Sequence, residues 1–147
     1  MLEEKEFDMN VQYCIFFLMT KVSQTGAAFW TKKVEHLGVT ASQAMLLLFL
    51  DEEDRIPPNT LGQKIDITSA TMTGILDRLE KNGLIVRLPH LDDRRSLLVC
   101  LTERGAQVAK EINAIMIEAN EEFLSRLTPK ESELFRNLLK KVWGVDS

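Results

Sequence analysis

Two cysteines, Cys14 and Cys100, and two histidines, His36 and His90, are all the chain has of either residue in 147 positions. No pair of them has the short spacing of metal ligands, so neither a structural zinc site nor a disulfide framework is expected. Both thiols are expected to be reduced. Aromatic residues are 7 % of the chain, with a single tyrosine. No apolar run approaches the roughly 20 residues needed to span a bilayer. The longest, Ala44 to Leu50, stops at Asp51-Glu52-Glu53-Asp54. The beginning, Met-Leu-Glu-Glu-Lys-Glu, is acidic where a secretory signal is basic and then apolar, so a cytoplasmic protein is expected. A Gly-rich phosphate loop and a Ser-His-Asp order are also missing, and with them the grouped acid, base, nucleophile or metal that an enzyme requires. No catalytic residue and no cofactor is assigned.

What is present is an apolar share of 45 % and a charged share of 27 %, the balance of an ordinary folded domain. One unit over residues 1–147 is expected. Net charge is −4, unfavourable for a polyanionic partner until its distribution is considered. Between Thr60 and Arg104 seven Lys/Arg face six Asp/Glu, +1, whereas the rest has eleven basic against sixteen acidic residues, −5. One segment is therefore relatively basic inside an acidic protein.

Apolar residues at Phe7, Val11, Cys14, Leu18 and Val22 recur by three and four, which predicts a helix from about Phe7 to Val34 with Gly26 as a bend. Phe16, Phe17 and Met19 widen its stripe beyond half the circumference, so part of it faces an oligomer partner. Thr40-Ala41-Ser42-Gln43 is a capping box that opens a helix apolar all round. Pro57-Pro58 breaks the chain and starts a short helix. Lys64 to Ile67 reads as a turn, with Thr68 or Ser69 as the next N-cap and Met72, Ile75, Leu76 and Leu79 as the inward stripe, ended by Gly83. Two short helices joined so tightly form a helix-turn-helix. Ser69, Thr71, Thr73, Arg78 and Lys81 lie outside the stripe.

Leu84–Leu88 and Ser96–Leu101 are aliphatic runs separated by Pro89-His90-Leu91-Asp92-Asp93-Arg94-Arg95, a hairpin with a charged tip. Thr102 opens a long helix striped by Val108, Ile112, Ile115, Ala119 and Phe123. Thr128-Pro129-Lys130-Glu131 caps a last helix lined by Leu134, Leu138 and Val142. The fold class is mainly α with a small two- to three-stranded β wing: a winged helix-turn-helix over 40–105, flanked by dimerisation helices over 1–36 and 106–147.

The hydroxyls of Ser69, Thr71 and Thr73 suit major-groove entry, being slim enough to reach base edges and phosphates. Arg78 and Lys81 lie where phosphates run, although Asp77 stands four residues from Lys81 as an intrahelical alternative. Gly74 is costly inside a helix, by roughly 1 kcal/mol, which points to a close backbone approach. At the tip Asp93 stands two residues before Arg95, close enough to orient its guanidinium, and Arg is what narrow A·T-rich minor grooves attract. A winged helix that contacts only proteins is the competing reading, favoured by the net charge and disfavoured by the Asp93-Arg94-Arg95 tip.

Ile67 to Thr73, Leu79-Glu80-Lys81-Asn82-Gly83, Asp93-Arg94-Arg95 and Leu101-Thr102-Glu103-Arg104-Gly105 together resemble the MarR family of bacterial and archaeal regulators. The resemblance implies a homodimer with interleaved terminal helices that binds a pseudo-palindromic double-stranded DNA operator, generally as a repressor released by a small ligand or oxidant. It also implies Arg95 as the minor-groove finger, with Arg94 and Arg87 on the DNA backbone. Cys14 falls where the peroxide-sensing branch carries its reactive thiol, but that branch uses several tyrosines and this chain has only Tyr13. Trp30, Phe16, Phe17, Met19 and Met45 are candidates to line the crevice where the family binds aromatic effectors.

Overall fold

A computed structural model describes residues 10–144. Phe7, expected to open the first helix, lies outside them. Six helices and one hairpin follow in the order α1 (Ile15–Val34), α2 (Ala41–Glu52), α3 (Pro58–Ile65), α4 (Ser69–Lys81), β1 (Ile85–Pro89), β2 (Leu97–Leu101), α5 (Glu103–Phe123) and α6 (Pro129–Trp143). The first helix begins later than its apolar spacing predicts. Asn10 accepts from the Gln12 amide at 2.9 Å and caps a single 3-10 turn, Val11–Tyr13, after which Cys14 is extended (φ −66°, ψ 119°) and α1 starts. Cys14 therefore sits at the junction rather than on the helix. α1 then runs through Gly26 without interruption.

The core gathers around α2, which has Ala44, Leu46, Leu47 and Leu50 fully buried and packs along α5. Its start is the expected capping box: Thr40 accepts from the Gln43 amide while Gln43 accepts from the Thr40 amide at 2.9 Å. Thr128 and Glu131 repeat the device at α6. Pro57 caps α3 and Pro58 opens it, where a missing N–H is no loss. Lys64 and Ile65, expected in the turn, remain helical; the chain reverses at Asp66 (φ 57°), an Asp tolerating the left-handed conformation. Thr68, not Ser69, is the N-cap of α4.

β1 and β2 pair antiparallel with Arg87 opposite Val99, and Ile56 bonds Val99 in both directions at 2.9 and 3.2 Å, giving the hairpin a one-residue third strand. The hairpin returns into α5 through a tight joint. Thr102 Oγ1 donates to the Gly83 carbonyl at 2.6 Å, Thr102 N to Leu84 O at 3.1 Å, and Gly105 N donates back to Thr102 Oγ1 at 2.9 Å. One threonine thus ends the hairpin, caps α5 and ties both to the exit of α4, where Gly83 turns the chain at φ 71°.

α1 and α6 are left largely uncovered. Within α1 only Val34 is buried, and within α6 no side chain is. Phe16 is 78 % exposed, Val142 71 % and Trp143 75 %, so the apolar faces of both helices are left without cover among the described residues. Among the described residues no helix is long and apolar enough to cross a membrane.

Candidate nucleic-acid interface

The stripe predicted for α4 is the one buried: Met72, Ile75, Leu76 and Leu79 hold the helix against the core. Ser69, Thr71, Thr73, Arg78 and Lys81 are all exposed on its other side. Their chemistry differs in detail. Thr73 Oγ1 donates to Ser69 O at 2.9 Å, so its proton is engaged and its oxygen is left to accept. Thr68 Oγ1 donates to Thr71 Oγ1 at 3.0 Å, which frees the Thr71 proton for an outside acceptor. Arg78 and Lys81 have no ion-pair partner among the described residues; the Asp77–Lys81 pair weighed from spacing does not form, because Asp77 faces Arg87. A Cβ at Gly74 would meet nothing within 4 Å, so no packing among the described residues explains this glycine.

At the wing tip, Asp93 does something other than expected. Its Oδ1 accepts from the Arg95 backbone amide at 2.9 Å and its Oδ2 from Ser96 Oγ at 3.0 Å. The guanidinium of Arg95 donates no hydrogen bond to Asp93. An Asp side chain reaches an amide two residues on more easily than the end of a long side chain, and the resulting turn fixes the backbone of the tip. Those bonds hold the Asp93 carboxyl below its ordinary value, the Arg95 amide being the larger cause. Arg94 and Arg95 project with no intramolecular ion pair among the described residues.

Arg87 is the residue whose surroundings depart most from expectation. Its guanidinium bonds Glu80 and Asp77 of α4, and the side chain is only 24 % exposed. The side-chain bond with Arg87 holds the Glu80 carboxyl below its usual value, and the same bond pushes Arg87 up. An arginine held by two carboxylates is not a free phosphate contact. Neither Glu80 nor Asp77 was expected as its partner; opposite charges flanking the Asn82–Leu84 turn were the only available signal.

Behind this face, a crevice of about 400 Å³ lies between α1, α2, α5 and α6. Trp30, Met45, Met116 and Phe123 line it, and Trp30 Nε1 donates to Ala41 O at 3.4 Å. Phe16, Phe17 and Met19, expected beside Trp30, lie on the uncovered outer part of α1 instead. Cys14 is half-buried at the start of α1, outside the residues lining the crevice. Cys100 is buried in β2, and burial pushes its thiol up, making it a poor nucleophile.

Comparison with known proteins agrees with this geometry. Residues 39–97 match the profile described as the MarR family, a span running from the start of α2 to the wing. The chain is 33 % identical over 104 residues to the organic hydroperoxide resistance transcriptional regulator of Bacillus subtilis, covering 70 % of this chain and 71 % of that one. Among solved structures, a probable transcriptional regulator from Pseudomonas aeruginosa superposes with a TM-score of 0.84 at 32 % identity, covering 90 % of this chain and 99 % of that one. A mutant MarR from E. coli complexed with operator DNA superposes at 0.79 with 29 % identity, covering 85 % and 90 %. A helix-turn-helix with its hydroxyls outward, a wing with two arginines unpaired among the described residues, and 29–33 % identity to these regulators over most of the chain place one conclusion beyond the fold itself: the chain belongs to the MarR family.

Proposed function

We propose that this protein is a cytoplasmic transcriptional regulator that binds a pseudo-palindromic DNA operator as a homodimer, acting by binding rather than catalysis. It represses, and a small ligand or oxidant releases it. The lobe over 40–105 reads DNA, and the helices over 1–36 and 106–147 dimerise. In this reading α4 enters the major groove, with Ser69, Thr71 and Thr73 toward base edges and Arg78 and Lys81 toward phosphates. The wing enters the adjacent minor groove through Arg95, with Arg94 on the backbone and Asp93 as the brace of the tip. The apolar crevice beside Trp30 is where an aromatic effector would lie, between the terminal helices and the reading lobe. The observation that carries the proposal is the tip: two exposed arginines stand on a backbone that Asp93 has fixed, with no ion pair among the described residues.

The test compares two arginines. Arg95→Ala should fold and dimerise normally and lose on the order of 1–3 kcal/mol of operator affinity, with part of that loss confined to A·T-rich flanks. Arg78→Ala should weaken binding to all sequences alike and lower the salt slope by about one phosphate. Gel shifts on the operator and on a copy with G·C-substituted flanks separate the two effects. If Arg95→Ala loses the same factor on both duplexes, the finger role is withdrawn; if the unaltered protein shows no salt-dependent binding to any duplex, the DNA reading itself fails.

A further inference from the structure

Arg87 is built into a bidentate clamp between the two DNA-reading elements. Its Nη2 donates to Glu80 Oε2 at 2.6 Å and to Asp77 Oδ1 at 2.7 Å, its Nε to Glu80 Oε2 at 3.1 Å, and its own backbone amide to Glu80 Oε1 at 3.4 Å. Asp77 and Glu80 stand one turn apart on α4, whereas Arg87 is the middle residue of β1. The clamp therefore joins the last turns of the recognition helix to the strand that leads to the wing tip.

We propose that Arg87, Glu80 and Asp77 form a positioning device that sets the angle between recognition helix and wing, and so tunes sequence discrimination rather than phosphate affinity. The proposal rests on the DNA-binding reading above. Three observations support it. A phosphate seeking Arg87 would have to displace two carboxylates, Glu80 Oε2 accepting from both Nε and Nη2 and Asp77 Oδ1 accepting from Nη2 as well. The side chain is only 24 % exposed, unlike the exposed Arg94 and Arg95. And Arg87 faces Val99 with only two further ladder pairs, Leu88–Leu98 and Pro89–Leu97, between it and the loop that carries Arg95. A small tilt at Arg87 is thus magnified at the tip, which must reach its groove while α4 occupies its own.

The clamp also predicts an unusual sign. Removing Glu80's charge leaves Arg87 paired with Asp77 alone and raises the net positive charge beside the DNA by one, so general affinity should hold or rise while discrimination falls. The test uses the full chain with E80Q, R87Q, R87K and the charge exchange E80R with R87E, each first checked for folding by circular dichroism. Binding is measured on the operator recovered from genomic fragments and on a random duplex of equal length. For E80Q the operator-to-random ratio should drop about tenfold, with the salt slope on random DNA steeper by about one. R87K, which keeps charge but loses the fork, should lower the ratio similarly, and the charge exchange should recover part of it. In the absence of DNA, hydrogen exchange of the residue 85–101 amides should quicken in E80Q and R87Q.

The proposal is overturned if R87Q loses the same factor on both duplexes and E80Q leaves the ratio unchanged, since Arg87 would then be a phosphate contact. It is equally overturned if exchange in the hairpin does not change in E80Q. Should R87Q fail to fold, E80Q and R87K decide. Should the unaltered protein prefer no duplex, the DNA reading falls, and the exchange measurement still judges whether the clamp holds the wing.

Discussion

The same one-carbon change at two glycines should have opposite effects. At Gly105 a Cβ would lie 1.8 Å from the Leu84 carbonyl oxygen and 2.8 Å from its carbon. These are backbone atoms, which cannot swing aside as a flexible side chain would. To reach even a tight contact of about 3 Å, the start of α5 must retreat by roughly 1 Å from the exit of α4. That motion pulls on the bonds through which Thr102 N reaches Leu84 O at 3.1 Å and Thr102 Oγ1 reaches Gly83 O at 2.6 Å. Overpacking costs about 1–3 kcal/mol and each lost hydrogen bond about 1 kcal/mol, so Gly105→Ala should destabilise by about 3–5 kcal/mol. For a chain of this length that lowers Tm by roughly 10 °C. At Gly74 a Cβ meets nothing within 4 Å, and alanine gains up to about 1 kcal/mol of helix propensity. Chemical denaturation followed by circular dichroism, at one fixed protein concentration because dimerisation adds to apparent stability, measures both. A Gly105→Ala protein within about 0.5 kcal/mol of the parent would refute the argument, since that is the scatter of substitutions that touch nothing. If close backbone approach to DNA is why Gly74 is glycine, Gly74→Ala should weaken operator binding while stabilising the fold.

Light scattering at micromolar concentration should give twice the 16.8 kDa chain mass, because the apolar faces of α1 and α6 are otherwise bare; a monomer with intact helices would remove the palindromic operator with the dimer. Cys14→Ser should leave the effector response unchanged, since the thiol lies outside the residues lining the crevice, and loss of peroxide-induced release in that variant alone would contradict this. Acid should loosen the wing before the helices: Asp93 and Glu80 are both lowered in the folded chain, so what they contribute is fully present above the ordinary carboxylate value and is lost as pH falls below about 4. Hydrogen exchange across the hairpin, compared at pH 6 and pH 3.5 after correction for intrinsic rates, would show no selective change if those bonds are idle.

The parts of the fold legible in the sequence are those decided within four or five residues. Thr40, Thr102 and Thr128 cap because a hydroxyl at that position meets an amide three residues on, whatever the rest of the chain does. The α4 stripe is legible because helical periodicity alone selects Met72, Ile75, Leu76 and Leu79. Where local rules compete, the outcome is harder to see. The apolar spacing through Val11 and Cys14 continues a helix on paper, yet Asn10 caps a 3-10 turn first. Asp93 had two candidate donors in Arg95, amide and guanidinium, and the nearer one took it. The Arg87 clamp is hard to read for a different reason: it exists only once β1 folds back on α4, and beyond the opposite charges flanking the Asn82–Leu84 turn nothing in the chain marks that crossing.

The net charge of −4 looks like an argument against DNA only while the charges are averaged. Of the seven basic residues between Thr60 and Arg104, the structure gives three an occupation. Lys64 pairs with Glu53 at 3.7 Å, Arg87 with Glu80 and Asp77, and Arg104 donates to Asn82 O at 3.4 Å. The four whose side chains have neither an ion pair nor a hydrogen bond among the described residues are Arg78, Lys81, Arg94 and Arg95, and these lie on α4 and at the wing tip, the two elements proposed to meet DNA. Exposed cations separated by more than about 8 Å from the acidic remainder feel little of it at physiological salt. In the reading proposed above, affinity for phosphate is set by these four groups in each protomer and not by the sum over the chain. In the same reading, sequence, met by α4 and by an arginine whose backbone Asp93 has fixed, then decides where the protein stays.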